Sequence, residues 1–171
     1  LVVRDRRPDV GPGLILSGPF ARHTARVTRR AAERVPFERL VTRIRSGPPW
    51  PIRLVDGPVN LVEYFVHLED VRRAVDGWTP RSGLDDLQDA LWPFQTSGTK
   101  LRTRRVQDVG LSIARPGGQP VAVRSGSRQV TATGDPGELA LFFFGRRDRS
   151  RVDLTGDPDG VSEVRTAPIG F

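Results

Sequence analysis

The stretch NLVEYFVHLEDV, which runs from Asn60 to Val71, carries the pattern on which the interpretation of the whole chain depends. At about 100° per residue, a helix brings four of its polar residues into one narrow stripe: Asn60, Glu63, His67 and Asp70. Apolar residues border this stripe on both sides. We therefore expect the stripe to face a core or a cleft, where an unpaired carboxylate or imidazole is costly.

Two residues of this stripe have the spacing of metal ligands. Glu63 and His67 are four residues apart, so both side chains can reach one point in space. A zinc site needs a third protein ligand, and His23 is the only other histidine of the chain. The alternative is that His67 is a core histidine hydrogen-bonded to Glu63 or Asp70. The spacing alone leaves both interpretations open.

The composition is typical of a soluble globular protein, since 37% of the 171 residues are hydrophobic and 27% are charged. No apolar run approaches the ~20 residues of a membrane span. No secretory signal is visible, and the chain has no cysteine, so neither a disulfide nor a thiolate of the protein itself is available. We therefore expect a cytoplasmic protein without a membrane partner.

The basic character of the chain has a compositional explanation. The formal net charge is +7, but nearly all the basic residues are arginines that lie among acids, and Lys100 is the only lysine. An excess of Arg, Ala, Gly, Pro and Val is typical of a bacterium with a G+C-rich genome. We therefore expect no nucleic-acid partner, although a strongly basic chain would ordinarily suggest one.

The order of predicted elements indicates an α+β fold. Apolar periodicity predicts helices over 19–34, 36–44, 58–75 and 82–101, the last kinked or broken at Pro93 and Gly98. From residue 109 the pattern predicts three strands, a helix over 137–144, a strand over 151–155 and a short final helix. We predict a helical domain over residues 1–104 and a small βββαβα domain over residues 105–171.

Several stretches resemble a known family when they are taken together. They are Val2-Val3-Arg4-Asp5-Arg6-Arg7-Pro8-Asp9, Arg43-x-Arg45-Ser46-Gly47-Pro48-Pro49, Asn60-x-x-Glu63-x-x-x-His67-x-x-Asp70-Val71-Arg72-Arg73-Ala74 with Gly77-Trp78-x-Pro80-Arg81, and Val130-x-Ala132-x-Gly134-Asp135-Pro136-x-Glu138-Leu139-x-Leu141-Phe142-x-Phe144-Gly145-Arg146. This combination resembles the actinobacterial mycothiol-dependent maleylpyruvate isomerase family. Within that family it is similar to the branch described only as metal-binding proteins.

The resemblance implies a fold and a set of ligands. The fold is a DinB-like four-helix bundle with a divalent metal, typically zinc, followed by a small α/β domain related to sterol-carrier folds. The family's Glu and His ligands of the third helix correspond to Glu63 and His67, and Asp70 fits as the residue that orients His67. The family's first His would immediately precede Leu1, so we expect a chain that lacks the first bundle helix and most of the second.

The resemblance also implies an activity. In such a protein the metal lowers the pKa of the sulfur of mycothiol, the thiol co-substrate, so that a thiolate can attack an electrophilic substrate. The protein would then be a mycothiol-dependent isomerase or S-transferase whose partners are small molecules. The alternative is a metal-binding or interaction module that keeps the bundle and has no enzymatic activity.

Overall fold

The structure, a computed structural model, describes residues 19–47 and 53–170, without the side chains of residues 53–60. Its mixture of helices and strands confirms the α+β class. The chain divides into two compact units, residues 1–60 and residues 61–170. The predicted domain boundary at residues 104 and 105 lies inside the second unit. None of the described helices is long and apolar enough to cross a membrane.

The first unit contains α1 (Pro19–Arg34), α2 (Phe37–Arg45) and the start of α3 (Arg53–Arg72). The predicted bounds of α1 and α2 are confirmed to within one residue. No residue of α1 or α2 is buried, and the Phe37 side chain is 73% exposed. The third helix begins five residues before the predicted start at Pro58.

The fourth helix, α4 (Asp85–Arg102), is continuous through Pro93 and Gly98, so it is not broken there, and the alternative of a kink stays a prediction. Proline has no backbone N–H, so Pro93 leaves one helical hydrogen bond unmade. The helix nevertheless continues, and the Ser97 hydroxyl one turn later donates to the Pro93 carbonyl at 2.7 Å. The helix begins three residues after the predicted start at residue 82, and its N-cap residue, Leu84, makes no side-chain cap bond.

A four-stranded sheet forms one layer of the second unit. Its strands are β1 (Val109–Ala114), β2 (Val121–Arg124), β3 (Arg128–Thr133) and β4 (Asp153–Gly156). The order across the sheet is β2-β1-β3-β4, with β1 and β3 parallel and the other two pairs antiparallel. All four strands lie where the alternation of the sequence predicts them.

The short link between β2 and β3 passes close to the start of β1, because β2 and β3 flank β1 on opposite sides. Gly126 lies in this link. A Cβ at Gly126 would lie 2.2 Å from the backbone carbon of Val109, so only glycine fits at this crossing.

The fifth helix, α5 (Pro136–Phe143), is the centre of the second unit, and all eight of its residues are buried. It starts at the proline of the Gly-Asp-Pro sequence at residues 134–136, one residue before the predicted start. Leu139, Phe142 and Phe143 join the apolar cluster of the sheet and α6 (Pro158–Thr166). Ala140 and Leu141 join a second apolar cluster, whose other members come from α3 and α4: Val62, Phe65, Val66 and Leu91.

The two faces of α3 therefore differ sharply after residue 61. Val66 is 2% exposed and packs in the second cluster, whereas Val71 is 74% exposed on the opposite side of the same helix. Leu68 on the same helix is 47% exposed, and Val75 in the turn that follows the helix is 62% exposed.

The same substitution on both faces tests this assignment. We expect Val66→Ala to lower the free energy of unfolding by about 2 kcal/mol, because it removes buried methyl groups and leaves a cavity. The matched control Val71→Ala should change it by less than ~0.5 kcal/mol. Urea unfolding at pH 7 measures both values, and equal losses in the two variants would contradict the assignment.

Candidate functional site

The two residues predicted as metal ligands lie on the side of α3 that faces away from the apolar core. Glu63 is half-buried, and the His67 side chain is 51% exposed. The sequence predicts a stripe that faces a core or a cleft, but His67 belongs to neither apolar cluster of the described residues, so a core position is wrong for this residue. The physical reason is that α3 buries the opposite face, with Val62, Phe65 and Val66, against α4 and α5. Asn60 lies outside the residues whose side chains are described.

Asp70, predicted to orient His67, is held by an arginine. Arg146 Nε donates to Asp70 Oδ1 at 3.0 Å, and Arg146 Nη2 donates to Oδ2 at 2.7 Å. The His67 Nδ1 atom lies 3.8 Å from Asp70 Oδ2, which is an ion-pair distance and longer than a hydrogen bond. The Arg146 hydrogen bonds lower the pKa of Asp70 below its ordinary value.

Next to Asp70, the buried carboxylate of Glu69 accepts hydrogen bonds from three arginines. The donors are Arg72 at 2.9 Å, Arg73 at 2.8 Å and Arg81 at 3.0 Å. Burial by itself raises the pKa of Glu69, but the hydrogen bonds and charges of Arg73 and Arg72 outweigh it, so the net pKa is lowered. Glu69 is 1% exposed and is therefore a charge inside the fold.

Arg73 connects Glu69 to a second buried carboxylate. Its Nη2 atom donates to Glu138 Oε1 at 2.6 Å and its Nη1 atom to Glu138 Oε2 at 2.9 Å. The Arg73 guanidinium carbon also lies 4.3 Å from the centre of the Trp78 ring. The Glu138 carboxylate accepts a further bond from the Arg151 backbone at 2.8 Å. This chain of charges joins α3 to α5.

The sequence interpretation missed this ion network, although a signal for it was present. Glu69 and Arg73 are four residues apart, the spacing of an ion pair on one helix face. They also share the helix face of Val62, Phe65 and Val66, which the structure buries. The quoted family stretches include Arg73 but leave Glu69 unspecified. The long-range partner could not be inferred from spacing, because 65 residues separate Arg73 from Glu138.

The described residues do not complete a metal site by themselves. Within residues 19–47 and 53–170, leaving out the side chains of 53–60, no group of three or more His, Asp or Glu side chains could hold a metal ion. Glu63 and His67 supply two ligands of suitable chemistry, one short of the three that zinc sites need. A cleft of about 600 Å³ lies elsewhere, and its lining includes Thr133, Asp135 and Arg151 but neither Glu63 nor His67.

No family model, no curated protein and no solved structure matches this chain. The family suggested by the quoted motifs therefore stays a prediction.

Removal of Arg73 should damage the fold far more than removal of its neighbour. We expect Arg73→Met to lower the free energy of unfolding by about 3–5 kcal/mol, because Glu138 and Glu69 would each lose buried hydrogen bonds. The control Arg72→Met, at a position 33% exposed, should cost less than ~1 kcal/mol. Chemical denaturation followed by circular dichroism compares them, and a small loss for Arg73→Met would contradict the structural role of the network.

The lowered pKa values of Glu69 and Asp70 predict a loss of stability in acid. Both carboxyls have a lower pKa in the folded chain than their ordinary values of 4.5 and 3.8. Their stabilising contribution is therefore complete above about pH 5 and is lost as the pH falls through the folded pKa values. Urea titrations from pH 7 to pH 3 measure this loss. Asp70→Asn should flatten the pH dependence of the unfolding free energy, and the exposed control Asp76→Asn should not. A stability that does not change with pH would refute the prediction.

Proposed function

We propose that the chain belongs to a divalent-metal-binding protein, with Glu63 and His67 as two of the metal ligands and a small-molecule thiol as co-substrate. The metal is zinc in this proposal, the thiol is mycothiol, and the activity is that of an isomerase or S-transferase acting on an electrophile. The wider fold assigned to the chain is a DinB-like bundle followed by a sterol-carrier-like domain.

The observation that carries this proposal is the placement of Glu63 and His67 together on α3. The neighbouring carboxylates Glu69 and Asp70 serve the fold, since arginines bind both at hydrogen-bond distance. Glu63 and His67 lie one helical turn apart on the side of α3 that does not pack in the core. Carboxylate and imidazole groups at this spacing have the chemistry of zinc ligands.

The surroundings of His67 add a second line of support. Val71 lies one helical turn after His67 on the same side of α3 and is 74% exposed, so an apolar residue lies next to the proposed ligands. When bound, the proposed metal would lower the pKa of a coordinated thiol so that the thiolate forms at neutral pH.

The second candidate function is a metal-binding or interaction module without catalysis. It is favoured by the fact that the described residues supply two ligands and not three. The two functions differ in one measurement. Zinc-loaded enzyme should convert a maleyl-type electrophile only in the presence of a thiol, which a transferase consumes and an isomerase regenerates. A module should bind zinc and leave both compounds unchanged.

Zinc titration against a chromophoric chelator tests the metal claim. We expect the parent chain to take up about one equivalent, and Glu63→Gln and His67→Gln each to weaken zinc binding by at least ~10–100-fold, because each removes a ligand. Glu33→Gln, the same substitution at an exposed position of α1, is the matched control and should bind zinc like the parent.

The outcome is interpreted together with the fold of each variant. Circular dichroism and the Tm of every variant establish that a loss of zinc binding does not reflect unfolding. Equal zinc affinities in the parent and in His67→Gln would refute the proposal.

A further inference from the structure

Helix α4 carries a polar stripe inside the second unit, where an apolar stripe would be expected. Gln95, Thr99 and Arg102 follow one another at helical spacing, and they are 0%, 0% and 7% exposed. Each keeps one buried polar atom without a hydrogen-bond partner in the described part of the chain: Gln95 Nε2, Thr99 Oγ1 and Arg102 Nε. The two nitrogens can only donate, and the hydroxyl can also donate.

Arg102 is the charged member of this stripe. Its Nη2 atom donates to the Phe94 carbonyl at 3.0 Å and to Gln95 Oε1 at 3.2 Å. The second bond joins the first and last residues of the stripe, with Thr99 between them in the sequence. The guanidinium carbon lies 4.8 Å from the centre of the Phe144 ring. A Cβ at Gly98 would lie 2.4 Å from Arg102 Nη1, so glycine at this position makes room for the guanidinium.

No carboxylate compensates this charge among the residues that the structure describes. The other buried arginine, Arg73, is paired with Glu69 and Glu138, whereas the two oxygens to which Arg102 Nη2 donates are neutral. Burial lowers the pKa of Arg102 to about 10, and no acid offsets that effect. An uncompensated buried cation is strongly destabilising, so a negative charge beside Arg102 would stabilise the fold.

We propose that Gln95, Thr99 and Arg102 form a binding site for one small monovalent anion. An anion of the size of chloride is the proposed ligand. An anion would accept hydrogen bonds from all three unpartnered donors and neutralise the guanidinium. A water molecule could accept some of these bonds but would leave the charge uncompensated. The site is distinct from Glu63 and His67 and does not depend on the function proposed above.

Thermal unfolding of the whole chain tests the site, with sodium chloride compared against sodium gluconate at constant ionic strength. Gluconate is too large for a buried site, so the comparison removes general screening. We expect a saturable rise in Tm of at least ~2 °C with chloride alone, since a ligand that binds only the folded state stabilises it. Arg102→Met should abolish this response.

A pair of threonines provides the matched control. Thr99→Val should raise the chloride concentration at half-response about tenfold, because it removes one donor to a charged group. Thr103→Val should not, since the equally buried Thr103 hydroxyl already donates to the Thr99 carbonyl at 2.8 Å. Equal responses to chloride and gluconate, or equal midpoints in the parent and Thr99→Val, would overturn the proposal.

If Arg102→Met does not fold, a crystal of the parent chain soaked in bromide provides a second test. We expect an anomalous peak within hydrogen-bond distance of Gln95 Nε2, Thr99 Oγ1 and Arg102 Nε. An ordered water without anomalous signal at that place would overturn the anion assignment.

Discussion

The second unit depends on one guanidinium held between two buried carboxylates. Arg73, which directly follows the last residue of α3, donates to Glu69 on that helix and to both oxygens of Glu138 on α5. All three side chains are less than a tenth exposed. Burying three charges is costly unless each is fully hydrogen-bonded. Here the geometry satisfies them, with Trp78 stacked against the Arg73 guanidinium. The network consequently fixes which face of α3 points inward.

That constraint determines what the opposite face of α3 can do. Once Glu69 and Arg73 point toward α5, helical geometry turns His67 outward and brings Asp70 to Arg146 at the boundary between the faces. One face of the helix thereby builds the fold, and the other presents a carboxylate and an imidazole one turn apart. In the proposed function, Glu63 and His67 on that second face bind the metal.

The sequence predicted elements well and their contacts poorly. Alternation and turn residues located all four strands, and the Gly-Asp-Pro signal located α5, because these patterns are local. The buried face of α3 was misassigned. A polar stripe between apolar residues gives the same sequence pattern whether the stripe is buried or exposed. Glu138 could not be matched to Arg73 from spacing, and the continuity of α4 through Pro93 depends on tertiary packing that overrides local propensity.

A double-mutant cycle of Arg73→Met and Glu138→Gln tests the central claim that this pair connects α3 to α5. The free energies of unfolding of the parent, the two single variants and the double variant give the coupling energy directly. The structure predicts a favourable coupling of about 2 kcal/mol or more, as for other close buried charge pairs. A coupling near zero would mean that the two helices are joined without this pair, and it would contradict the account.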